Sequence, residues 1–124
     1  METILIVEDD ADLRRMFRTA LTLAGYRVME ASNGLEALRV LDADPLRAVV
    51  LDLGLPIMSG QAVRQEIAAH AHTRDIPVIV VTGQPGDHQE LDVACVLRKP
   101  ISPERLLKTV KTCIAAGGSA FTTA

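Results

Sequence analysis

An α/β fold built on a parallel sheet is predicted by three features of this chain. Short apolar runs alternate with helical periodicity from one end to the other. The runs are apolar at nearly every position, the pattern of strands covered by helices on both faces. Four of the five runs end in a polar group, so polar side chains gather at one edge if all the strands run the same way.

The first run is Thr3–Val7, TILIV, a buried strand. Asp10 or Asp12 then caps a helix whose apolar stripe is Leu13, Met16, Phe17, Ala20, Leu21 and Ala24, with Gly25 as its stop. Tyr26–Ala31 is the second strand. Ser32 and Asn33 open a short helix carrying Leu35, Leu38 and Leu41, which ends before Pro45. Ala48–Asp52 is the third strand, and Ser59 caps a helix running through Val63 and Ile67 to about His70. Pro77 introduces the fourth strand, Val78–Val81, and Val93–Leu97 forms the fifth. Ser102-Pro103 opens the last helix, with Leu106, Leu107, Val110 and Ile114 on its inner face.

At 124 residues the chain suits one domain, expected over residues 1–116, with 117–124 a flexible tail or linker stub. Apolar residues make up 48% and aromatics only 2%, so aliphatics do the packing and base stacking is not expected. A net charge of −3 argues against direct nucleic-acid binding. No apolar segment approaches the roughly 20 residues that span a bilayer, and Glu8, Asp9 and Asp10 interrupt the early apolar run. A cytoplasmic location follows, and Cys95 and Cys113 are expected to be reduced, buried thiols.

The polar strand ends carry the chemistry. Strand one ends in Glu8-Asp9, strand three in Asp52, strand four in Thr82 and strand five in Lys99. Two carboxylates about 4 Å apart repel by roughly 4 kcal/mol at an effective dielectric near 20, and a divalent cation, or Lys99, would relieve that and keep them ionised. Oxygen ligands open to water suit Mg²⁺, with Mn²⁺ as a plausible substitute. A hydroxyl and an ammonium facing the same point suit the oxygens of a phosphoryl group.

In this order and at these intervals, VEDD, LDLGLPIMSG, VVTG and LRKP resemble the receiver domain of bacterial two-component response regulators, from Thr3 to about Ala115. The resemblance implies a doubly wound, flavodoxin-like sheet of order 2-1-3-4-5. It implies that Asp52 accepts a phosphoryl group from a histidine kinase or phosphotransfer protein, for an effector fused or in trans. Asp9 and the backbone carbonyl of Gly54 then join Asp52 as metal ligands, with Glu8 acting through water. Thr82 is the hydroxyl that turns toward the phosphoryl group. Lys99 pairs with Asp52 and then the phosphate, and Lys99-Pro100 is the family's usual cis peptide. Gly54 and Gln84 flank the site where the family tunes the lifetime of the acyl phosphate.

Two departures bear on output. The stretch between Thr82 and Lys99 is short for the family, and Gly83, Pro85 and Gly86 suppress helix, so the fourth helix is expected to be short or missing. Val96 stands where many receivers place a Tyr or Phe that swings inward with the threonine. Atypical output coupling is therefore expected. An aspartyl-nucleophile phosphatase needs a second acid two residues after the nucleophile, where this chain has Gly54. A binding module that is never phosphorylated is opposed by the intact acids, threonine and lysine. Arg14, Arg15 and Arg18 read as a solvated basic face of the first helix or as a kinase-docking patch. His70 and His72 read as solvated residues near a helix end.

Overall fold

The computed structural model describes residues 1–83 and 95–116. Its elements are β1 (Thr3–Val7), α1 (Ala11–Leu23), β2 (Arg27–Ala31), α2 (Gly34–Ala43), β3 (Ala48–Asp52), α3 (Gly60–Ala69), β4 (Val78–Thr82), β5 (Cys95–Arg98) and α4 (Pro103–Ala116). The strands form one sheet in the order β2-β1-β3-β4-β5, with every neighbouring pair parallel. The doubly wound architecture expected from the sequence is the one observed. The short or missing helix expected after Thr82, together with Gln84 and the start of the predicted fifth strand at Val93, lies outside the described residues.

Alternation along the strands divides the core into two layers. Ile4, Ile6, Val50, Ile79, Val81 and Leu97 face α1 and α4 and pack on Phe17, Leu21, Leu106 and Val110. Leu5, Val7, Val49, Leu51, Val78 and Val80 face α2 and α3 and pack on Ala37, Leu41, Val63 and Ile67. Burial on both faces explains why these strands read as unbroken apolar runs. Among the described residues no helix is long and apolar enough to cross a membrane.

The helix caps follow local chemistry. Asp10 caps α1, its carboxylate accepting from the amides of Asp12 at 2.9 Å and Leu13 at 3.1 Å. Gly25, at φ 100°, ends α1 in a Schellman turn: its N–H donates to Thr22 and the Tyr26 N–H reaches back to Leu21. That use of its amide explains why Tyr26, predicted to start the second strand, belongs to the helix stop and β2 begins at Arg27. Asn33, Ser59 and Ser102 cap α2, α3 and α4 with side-chain oxygens.

The expectation for the cysteines is also corrected. Cys95 and Cys113 are not free thiols but form a disulfide, with Cα atoms 6.8 Å apart. Cys95 alternates with Leu97 toward α4, and Cys113 lies on the buried face of α4 with Val110 and Ile114. Their meeting is a consequence of docking α4 on the edge strand, and a separation of 18 residues carries no local sign of it.

Candidate functional site: the carboxyl edge of the sheet

The strand register brings the expected residues together. Val7 pairs with Leu51, so Glu8 follows β1 level with Asp52 at the end of β3. Glu8 and Asp52 continue the alternation of Ile6 and Val50, and Lys99 continues that of Leu97, so all three project to one side of the sheet. Hydrogen bonds extend the ladders past the strand ends: Glu8 N–H to Ala31, Leu53 N–H to Val81, and Lys99 N–H to Thr82 at 2.8 Å. The rim is therefore held by backbone hydrogen bonds.

Glu8 is 1% exposed and Asp52 4% exposed. Lys99 Nζ stands 3.4 Å from Glu8 Oε1 and 3.6 Å from Asp52 Oδ2. The other Asp52 oxygen accepts from the Gly54 amide at 3.0 Å. Glu8 Oε2 accepts from the Asp10 amide at 3.2 Å, whereas the buried Oε1 accepts no hydrogen bond, its lysine partner being at ion-pair distance only. Burial pushes Glu8 up to about 7; the neighbouring Asp52 carboxyl, which repels the ionised form and can share a proton with the neutral one, adds to this, and the Asp10 amide and Lys99 oppose it.

Asp9 is exposed beside this pair, and Glu8, Asp9 and Asp52 each offer an oxygen within 4.8 Å of the others. An all-oxygen donor set, open on one side and including a buried oxygen that lacks a hydrogen bond, fits Mg²⁺ or Mn²⁺. Thr82 is buried at the end of β4, one residue beyond the strand partner of Asp52. The Lys99-Pro100 peptide is cis, as the resemblance implies. A Cβ at Gly54 would lie 3.7 Å from Asp52 Oδ1, an ordinary contact, so the space there accepts a side chain.

Three features of the site were not anticipated. Gly60 starts α3 against the back of β3, where a Cβ would collide with the Asp52 carbonyl oxygen and lie 2.6 Å from Leu53 Cα. Ile57 holds φ 69° and is 77% exposed on the β3–α3 loop. Arg14 turns back toward β1, donating to the Glu8 carbonyl at 2.8 Å. The glycine was visible in the sequence, but the backbone it admits was not. His70 and His72 remain on the surface, near Glu66 at 3.7 Å and Asp42 at 3.4 Å.

The doubly wound parallel sheet thus gathers two buried acids, a third exposed acid and a lysine at its carboxyl edge. The chain belongs to the response regulator receiver domain family, which matches residues 4–111. It is 34% identical to the phosphate regulon transcriptional regulatory protein PhoB of Pseudomonas aeruginosa, across 94% of this chain and 53% of that protein. It is 36% identical to the probable transcriptional regulator ycf27 of Pyropia yezoensis, across 91% of this chain and 47% of that one. The chain thus spans about half the length of the curated relatives it matches.

Solved structures agree. The chemotaxis response regulator CheY4 of Vibrio cholerae superposes with a TM-score of 0.84 at 26% identity, over 91% of this chain and 98% of that one. A receiver domain of a sensor histidine kinase from Pseudomonas aeruginosa PAO1, with a magnesium ion coordinated in its active-site cleft, superposes at 0.86 and 27% identity, over 92% and 98%.

Proposed function

We propose that this receiver domain accepts a phosphoryl group on Asp52 from the phosphohistidine of a histidine kinase or phosphotransfer protein, in a Mg²⁺-dependent step that Mn²⁺ also supports. The observation that carries the reading is the convergence of Lys99 Nζ on Glu8 and Asp52, at 3.4 and 3.6 Å, beside a third acid. The magnesium-bound receiver from P. aeruginosa supports the same choice of ion.

Asp9, Asp52 and the Gly54 carbonyl would hold the ion directly and Glu8 through water. When bound, it neutralises charge on the carboxylates and on the transferring phosphoryl oxygens. A carboxylate oxygen of Asp52 attacks phosphorus in line with the departing imidazole nitrogen. The phosphorus–nitrogen bond breaks, its electron pair returns to the ring, and the ring takes up a proton. Gly54 N–H and Lys99, on opposite oxygens of Asp52, fix the plane of the nucleophile beforehand. Lys99 then follows the negative charge onto the phosphoryl group, and the Thr82 hydroxyl donates to it. Gly54 and Gln84 set the lifetime of the acyl phosphate.

The chain's own chemistry is confined to this transfer and slow hydrolysis; it is a switch or relay rather than a metabolic enzyme. The reading carries a cytoplasmic location and an effector fused or in trans, as the greater length of the transcriptional regulators supports. Val96, 36% exposed on β5, offers no aromatic ring to report the switch, so output takes an atypical route.

The test is incubation with acetyl phosphate or phosphoramidate and Mg²⁺, followed by intact mass. The expected result is a gain of one phosphoryl group that is abolished by chelator and by Asp52→Ala. No gain, or a gain that survives Asp52→Ala, overturns the proposal.

A further inference from the structure

We infer that Arg14 is a positioning residue for the acidic pair, an inference that rests on the receiver reading above. The sequence places Arg14 in a basic stretch of α1, yet its side chain is only 22% exposed. Its Nη1 donates to the Glu8 carbonyl at 2.8 Å and its Nε to Glu30 Oε1 at 3.2 Å. The second oxygen of Glu30 takes Arg18 Nη1 at 3.3 Å. Glu30 on β2 therefore aims the guanidinium, and Arg18, one helical turn along, holds Glu30.

The atom Arg14 reaches decides its role. The Glu8 carbonyl belongs to the peptide that leads into Asp9, just beyond the last residue of β1. The Glu8 N–H is held from the other side by Ala31 of β2 at 3.0 Å. With both ends of Glu8 bonded, the orientation of the Glu8–Asp9 peptide is set, and with it the directions in which the two carboxylates leave the backbone. A guanidinium fork bridges a carbonyl and a carboxylate in fixed geometry, which an ammonium cannot reproduce. Hydrogen-bond partners of metal-ligating side chains typically change metal affinity by about 10- to 100-fold when removed; a clamp on the backbone that aims those side chains acts one step further out, at the lower end of that range.

The position of Arg14 also makes the inference separable from simple electrostatics. A positive charge near a cation site weakens cation binding, so deleting it without other effect would tighten the site. Loss of positioning has the opposite sign.

The experiment compares the wild type with Arg14→Ala, Arg14→Lys and, as a charge control, Arg15→Ala, an exposed residue of the same helix. Mn²⁺ affinity is measured by electron paramagnetic resonance, folding by circular dichroism, and Mg²⁺ half-saturation with acetyl phosphate. Both Arg14 variants are expected to bind Mn²⁺ about 10-fold more weakly, with a raised Mg²⁺ half-saturation and near-normal rates once Mg²⁺ saturates. Arg15→Ala is expected to match or slightly exceed the wild type in affinity. Unchanged or tighter Mn²⁺ binding in either folded Arg14 variant overturns the inference while leaving the receiver reading intact. Unfolding of both variants also overturns it, because Arg14 is then a stability residue. A wild type that binds no Mn²⁺ and takes no phosphoryl group overturns both.

Discussion

Replacing Glu8 by glutamine should raise the stability of the metal-free protein at neutral pH and remove most of the pH dependence that Glu8 imposes. Glu8 is fully enclosed and shares its site with Asp52, and these surroundings raise its pKa from 4.5 to about 7. At about 1.4 kcal/mol per unit, that displacement corresponds to roughly 3 kcal/mol between the protonated and ionised forms. The sign follows from linkage. The folded state binds the Glu8 proton more tightly than the unfolded chain, so the contribution is fully present below about pH 4.5 and is lost as pH rises through about 7. The glutamine keeps the shape and cannot ionise. Urea denaturation followed by far-ultraviolet circular dichroism, in chelator from about pH 4 to about pH 8.5, gives the two stability curves. Their difference should grow by about 3 kcal/mol across that interval. Saturating Mg²⁺ should remove the wild-type loss, because the ion favours the ionised acid. Parallel curves for the two proteins would refute the reasoning.

Three other perturbations test the structure around the site. Gly60→Ala should cost about 1–3 kcal/mol and slow phosphorylation, since its Cβ meets backbone atoms of Asp52 and Leu53 that cannot swing aside; stability matching the wild type would show that the β3–α3 junction is looser than described. Ile57→Asn should stabilise the protein by about 1 kcal/mol and so raise its urea midpoint, because asparagine tolerates the left-handed backbone that a β-branched residue resists. A lower midpoint would place the value of Ile57 in its side chain instead. Cys113→Ser should lose about 3 kcal/mol by opening a loop with a sequence separation of 18. Dithiothreitol should bring the wild type to the same melting temperature. An unreduced intact mass corresponding to two free thiols would refute the disulfide.

Much of the fold was legible because its signals are local. Unbroken apolar runs mark strands buried on two faces, and Asp10, Asn33, Ser59 and Ser102 cap helices with their own side chains. Such features depend on residues a few positions apart. Tyr26 is the instructive exception: it heads the run expected as the second strand, but its amide is needed to close the Schellman turn behind Gly25.

The candidate site was legible as a set of residue types, and its energetics were not. By itself the sequence determined the strand and helix order, the gathering of Glu8, Asp9, Asp52, Thr82 and Lys99 toward one sheet edge, and the family resemblance that assigns them roles. Only the tertiary structure decided which of these groups touch. Register and side-chain alternation put Lys99 between Glu8 and Asp52, and enclosure raised the Glu8 pKa. Docking of α1 against β1 and β2 turned Arg14 from a surface charge into a clamp on the Glu8 carbonyl. Docking of α4 against β5 joined Cys95 to Cys113. Electrostatic energies and covalent pairing depend on distances in space between residues remote in the chain, and a linear pattern does not contain those distances.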